Sequence, residues 1–248
     1  MNARRIAQVF ADLAGQSFRL VPHRKRFDVA RRVALALAPF YRRSPLYARR
    51  PSLLDGAREE CMRMVLRTMT RTGVPFVPDF DVRGGELVPP GPVLVASGHF
   101  LLNIMMSRWF EERGHPFTVV VGGPREPMFI AGTRVAVDLV QAGPDVLLRV
   151  RGRLAQGRTV FVNLEQLLPH EGWTTVDTAA GRHYVSSSVL RFAERTRTAL
   201  IFAAVHFDEN RRVTLTFARP SAGDAATMMA DYCAFLAAEA AKVHTRPG

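Results

Sequence analysis

From residue 93 onward the chain repeats a pattern that restricts its fold severely: short apolar runs alternate with helical stripes. Val93–Ser97, Phe117–Val121, Thr159–Leu164 and Ala199–His206 are each too short for a self-standing helix, and their apolar side chains are nearly continuous. A strand of that kind is buried on both faces, which requires helices above and below the sheet. Residues 100–113, 128–141, 186–197 and 224–243 read as those helices, and 145–156 as a short strand or helix. The stretch through Trp173 and Gly181 reads as a loop. Arg212–Ala218 is a further strand, separated from Ala199–His206 by Asp208, Glu209 and Asn210, so these two make a hairpin. The expectation is an α/β fold, with a mixed, mostly parallel sheet flanked by helices and an N-terminal helical region.

The first 73 residues differ in character. Residues 3–14, 27–41 and 53–72 carry helical stripes, the last opened by Ser52 with Asp55 three residues on and closed by Gly73. Residues 74–92, rich in Pro and Gly, form a connecting loop with a short strand near Phe80–Arg83. We therefore expect a basic helical region over 1–73, packed on an α/β core over 74–248, as one structural domain. Residues 1–50 hold eleven arginines and Lys25 against Asp12 and Asp28, a net +10 of the chain's +12. Such a basic amphipathic region suits a solvated face on the core, an anionic membrane surface, or an acidic carrier protein. Arginines without interleaved exposed aromatics or a recognised module make nucleic acid a poor partner. The two cysteines, Cys61 and Cys233, lie in apolar helical patterns and read as reduced thiols. No apolar stretch of about 18 residues is present, and no secretory h-region, so a cytoplasmic chain is expected.

In an open α/β sheet, ligands gather at the carboxyl ends of the strands. Gly98-His99 follows the first apolar run; Gly122, Gly123, Pro124, Arg125 and Glu126 follow the second; Glu165 and Gln166 end the third. His99 at a strand-to-helix turn can act as a general base. Arg125 can hold an anionic group through a bidentate contact. Gly122 and Gly123 can present backbone N–H groups to an anion or oxyanion. Gln166 joins Arg125, Gly122 and Gly123 as a candidate substrate-binding residue, and Glu165 and Gln166 also read as helix-capping polar residues. His170, His183 and His206 lie on separate loops without close ligand spacing, so no metal site is expected.

The segment "GPVLVASGHFLLNIMMSRWFEERGHPFTVVVGGPRE" resembles the first motif region of the lysophospholipid acyltransferase superfamily, and most of all its lipid A biosynthesis (lauroyl/myristoyl) branch. The matching features are His99-Phe100, Arg113-Gly114-His115-Pro116 and Arg125. "LRVRGRLAQGRTVFVNLEQ" and "GRHYVSSSVLRFAERTRTALIFAAVHFDENRRVTLTFARP" resemble later family segments, in order, over about residues 79–220. The resemblance implies transfer of an acyl group from an acyl-carrier-protein or CoA thioester to a hydroxyl or amine acceptor, without a cofactor beyond that co-substrate. It implies that His99 is one half of a catalytic dyad. The family's acid stands five residues after its histidine; here that position is Ile104.

Three arrangements remain open. Asn103, four residues from His99, can orient the imidazole through its amide oxygen. Glu165, from another crossover, can supply the carboxylate. Or the dyad is lost, and the chain is a scaffold that binds acyl chains or a carrier protein.

Overall fold

The structure is a computed structural model that describes residues 12–48, 56–123, 128–166, 171–207 and 212–244. The expected Ser52/Asp55 cap, most of the 3–14 helix, Arg125, His170 and the Asp208–Asn210 connection lie outside the described residues. Residues 12–17 are helical, followed by α1 (Arg26–Arg42), the single turn α2 (Pro45–Ala48) and α3 (Ala57–Arg71). β1 (Phe80–Arg83), β2 (Leu94–Ser97), α4 (Ile104–Glu111), β3 (Phe117–Val121), β4 (Asp138–Gln141) and α5 (Val146–Ala155) come next. The chain continues through β5 (Thr159–Asn163), β6 (Glu165–Gln166), β7 (Thr174–Thr178) and β8 (Gly181–Val185). It closes with α6 (Ser188–Thr196), β9 (Leu200–Phe207), β10 (Val213–Ala218) and α7 (Ala225–His244).

Among the described residues, a seven-stranded sheet runs β1-β10-β9-β2-β5-β3-β4, and a three-stranded sheet runs β6-β8-β7. All pairings in the large sheet are parallel except β9 with β10. The fold is the expected mixed α/β arrangement. Strand alternation divides the interior in two. Val93, Val95, Phe161, Ile201 and Ala203 face α1, α3 and α4, which contribute Ala34, Met62 and Met105. Leu94, Ala96, Val160, Val162, Phe202 and Ala204 face α5, α6 and α7, which contribute Leu154, Leu190 and Tyr232. The continuous apolar character of the central strands follows from this two-sided burial. The N-terminal helices share one cluster with the sheet, so Phe27, Ala30 and Cys61 are as buried as the strands.

The end of α3 shows how local sequence sets a boundary. Gly73 adopts φ +65°, its N–H donates to Thr70 O, and Val74 N–H donates to Met69 O. This pair of bonds satisfies the last carbonyls of the helix. At its start, the Glu59 carboxylate accepts the Gly56 N–H at 3.1 Å.

Two expectations are corrected. Residues 128–141 are not a helix: Phe129 bridges Ala136, and β4 pairs in parallel with β3. Hydrogen bonding along the edge of β3 prevails over a weak helical stripe there. The stretch through Trp173 and Gly181 is not a loop but the β7–β8 hairpin. Its strands are solvated on one side, burying only Val176, His183 and Val185, so they lack the apolar run that marks the central strands.

Gly132 tests the 128–141 turn. It has φ +79°, and a Cβ there would sit 2.2 Å from the Phe76 carbonyl oxygen. Gly132→Ala is expected to cost more than the ~1–2 kcal/mol of a left-handed backbone alone. Gly122→Ala, with open space around the added methyl, is expected to leave the urea midpoint nearly unchanged. Equal midpoints for the two variants would contradict this account.

Candidate functional site

The site arises from register. In the parallel pair β2–β5, Ser97 stands opposite Asn163, and Leu164 N–H extends the ladder to Ser97 O at 2.9 Å. One further step beyond that bond, the two chains reach His99 and Glu165 at one level, on strands roughly 4.8 Å apart. The Glu165 carboxylate meets His99 twice: Oε2 accepts the backbone N–H at 2.8 Å and Nδ1–H at 2.6 Å. Glu165 is 1% exposed, while the His99 side chain is 45% exposed. An ionised carboxylate only accepts, so the neutral His99 ring carries its proton on Nδ1 and leaves a lone pair on Nε2. Nε2 has no partner among the described residues.

The turn that aims His99 is held from below. Gly98 O accepts from Phe100 N–H at 2.9 Å and from Asn103 Nδ2 at 2.7 Å. Asn103 Nδ2 also donates to Asn163 Oδ1, and Asn103 Oδ1 accepts from Ser97 Oγ, both at 3.4 Å. Asn103 therefore does not replace the missing acid. At the N-terminus of α4 its amide points back to the strand end, away from the imidazole. Ile104, at the family's acid position, packs against the core.

Glu165 has a second imidazole. Oε1 accepts His183 Nδ1–H at 2.8 Å, and His183 is completely buried. Burial alone would push the Glu165 carboxyl up; hydrogen bonds from His183 and His99, the charge of His99 and its backbone N–H outweigh it and hold the group at about 2. The carboxylate thus stays ionised when the neighbouring ring is charged. Tyr232 of α7 lies within the field of this charge: burial first, then Glu165, pushes its phenol well above the ordinary range.

Of the three arrangements left open by the sequence, the structure brings Glu165 to His99; His183, expected on a loop, lies on a strand. His183 is on β8, and its alternation with the buried Val185 is the signal that marks it as inward-facing. Gly122 and Gly123 follow β3, which is separated from β2 by β5, so this turn lies roughly 10 Å along the sheet edge from the strand of His99. Gln166 pairs through its backbone with Tyr184 in the small sheet. His206 lies on β9, 3.5 Å from Glu239, apart from the His99 pair. Among the described residues no group of His, Cys, Asp and Glu could hold a metal ion.

The arrangement can remove a proton from a group approaching Nε2 and return it to a leaving group. Comparison with protein-family models finds no match to this chain, and comparison with curated proteins finds none either. Glu165 also ties the site to stability. Its carboxyl falls from 4.5 to about 2 on folding, so the stabilisation is complete above about pH 4.5 and is lost as pH falls through about 2. The shift corresponds to roughly 3 kcal/mol. Glu165→Gln is expected to be less stable than the parent at pH 7. The gap should close between pH 4.5 and 2 in urea unfolding; a gap independent of pH would refute the linkage.

Proposed function

We propose that the chain is an acyltransferase, with His99 as general base and Glu165 as the carboxylate that orients it. The observation that carries this reading is the His99–Glu165 pair at the carboxyl edge of a parallel sheet, its outer nitrogen open to solvent. The resemblance of residues 79–220 to the lysophospholipid acyltransferase superfamily supports the same reaction class. In this reading Nε2 takes the proton of an acceptor hydroxyl or amine as that atom attacks a thioester carbonyl. When the tetrahedral intermediate collapses, the C–S bond breaks and the imidazolium returns the proton to the leaving thiolate. Glu165 balances the imidazolium charge without taking its proton. The presence of a carboxylate on Nδ1 favours an enzyme over a scaffold with a lost dyad. The donor is an acyl-carrier-protein or CoA thioester.

The basic N-terminal region supports docking of this cytoplasmic enzyme at an anionic membrane surface. No helix among the described residues is long and apolar enough to cross a membrane. On α1, Val33, Leu37 and Phe40 lie at i, i+4 and i+7, outside the face packed against α3, and Leu46 follows on α2. Phe40 is 73% and Leu46 71% exposed. Arg32 and Arg42 are exposed on the same helix, and Arg43, which follows it, is exposed too. Apolar side chains at the acyl boundary with arginines at headgroup level match an interfacial helix. A carrier protein would draw on the arginines alone.

Two measurements test these readings. Free-thiol release and product mass are followed with a panel of acyl thioesters and hydroxyl or amine acceptors. His99→Ala is expected to abolish transfer with the fold intact, and Glu165→Gln to lower it by roughly 10⁴-fold, the scale seen when a triad aspartate becomes asparagine. Full activity of His99→Ala would overturn the mechanism. Separately, the protein is expected to co-sediment with phosphatidylglycerol vesicles rather than phosphatidylcholine vesicles. Phe40→Asp should weaken binding by about tenfold or more, since burying such a side chain contributes ~1.5–3 kcal/mol; unchanged binding would rule out this face.

A further inference from the structure

We propose that His183 is a positioning residue of this site, holding Glu165 through the oxygen that His99 leaves free and so fixing the carboxylate against the catalytic imidazole. The inference rests on the reading of His99 and Glu165 above and adds a third residue to it. Three observations carry it. The first is register: Glu165 pairs with Val185, and His183, two residues along β8, lies on the same face of the small sheet. Diagonal neighbours of this kind are within reach of long side chains, and here the contact is 2.8 Å.

The second is burial. His183 is 0% exposed, and its Nε2 has no hydrogen-bond partner among the described residues. An apolar side chain would fill such a place without desolvating a ring nitrogen. The polar atom that does find a partner is Nδ1, and that partner is Glu165. The ring therefore serves Glu165 as a donor through Nδ1.

The third is the division of labour on the carboxylate. Oε2 receives both N–H groups of His99, and Oε1 receives His183. His99 is on the exposed side and His183 on the buried side. A carboxylate held only at Oε2 could rotate about its last side-chain bonds and leave Oε1 buried and unsatisfied. Held at both oxygens, it presents one oxygen to Nδ1 in one orientation. Besides His183, the Glu165 carboxylate interacts with His99, and its charge reaches Tyr232 of α7. The phenol has no partner among the described residues, so it does not share the load on Oε1.

The test compares His183→Leu with His183→Asn, whose amide nitrogen can donate from nearly the same point as Nδ1. Two readouts are used on the full chain: the kcat against KM split in thioester transfer, and the downfield proton NMR resonance of the His99 Nδ1–H bond. Groups that orient metal-site ligands are worth roughly 10–100-fold, and a loss of that order in kcat, with KM nearly unchanged, is expected for His183→Leu. The downfield resonance should broaden or vanish in that variant, and His183→Asn should restore both. Should His183→Leu fail to fold, His183→Gln, whose amide sits one bond too far, replaces it and is expected to fall short of His183→Asn. A leucine variant that loses stability but keeps kcat and the resonance would overturn the proposal. If the parent transfers no acyl group, yet the resonance depends on His183 as described, the positioning role stands and the reaction assigned to the site fails.

Discussion

The geometry around His99 depends on one ionised carboxylate enclosed by protein. Glu165 is nearly inaccessible, yet three N–H groups, from the His99 backbone and two imidazoles, converge on its two oxygens. A charge in that position is tolerable because both oxygens are met, by three N–H donors in all. The same bonds that make the burial tolerable set the tautomer of His99, keep the carboxyl ionised and leave one nitrogen outward. Fold stability and site geometry are therefore the same set of contacts.

The sheet makes this possible by being covered on both faces. Val93 and Val95 belong to one apolar cluster, Leu94 and Ala96 to the other. β2 and β5 end at one level, with Ser97 opposite Asn163, and polar groups collect at that end. Ser97 and Asn163 complete the last rung of the ladder, and Asn103 joins both to Gly98 O. This network lies directly below His99, so the turn that lifts the imidazole is fixed by amide and hydroxyl groups, not by glycine alone.

Much of this was legible in the sequence, for physical reasons that differ between elements. The central strands announce themselves because two-sided burial demands continuous apolar side chains. β7 and β8 do not, since one side of each faces water and only Val176, His183 and Val185 are buried. β4 was hidden because its strand character comes from pairing with β3. The identity of the acid could be narrowed but not decided from spacing: Asn103 is close in sequence, Glu165 is 66 positions away. Parallel register decides between them, and register is a property of two strands together. The partner of His183 lay beyond reach for the same reason, since it is set by the pairing of β6 with β8.

Between β5 and β6 stands one residue, Leu164, fully enclosed and bonded on both sides: its N–H to Ser97 and its carbonyl to Ser186 N–H. The carboxylate that follows thus belongs mechanically to two plates at once, the large one supplying His99 and the small one His183. Fraying of the β7–β8 ribbon would strip one clamp from the acid while the base stayed in place. Loss of the His99–Glu165 geometry would then precede global melting, and the small sheet would act as the fuse of the molecule.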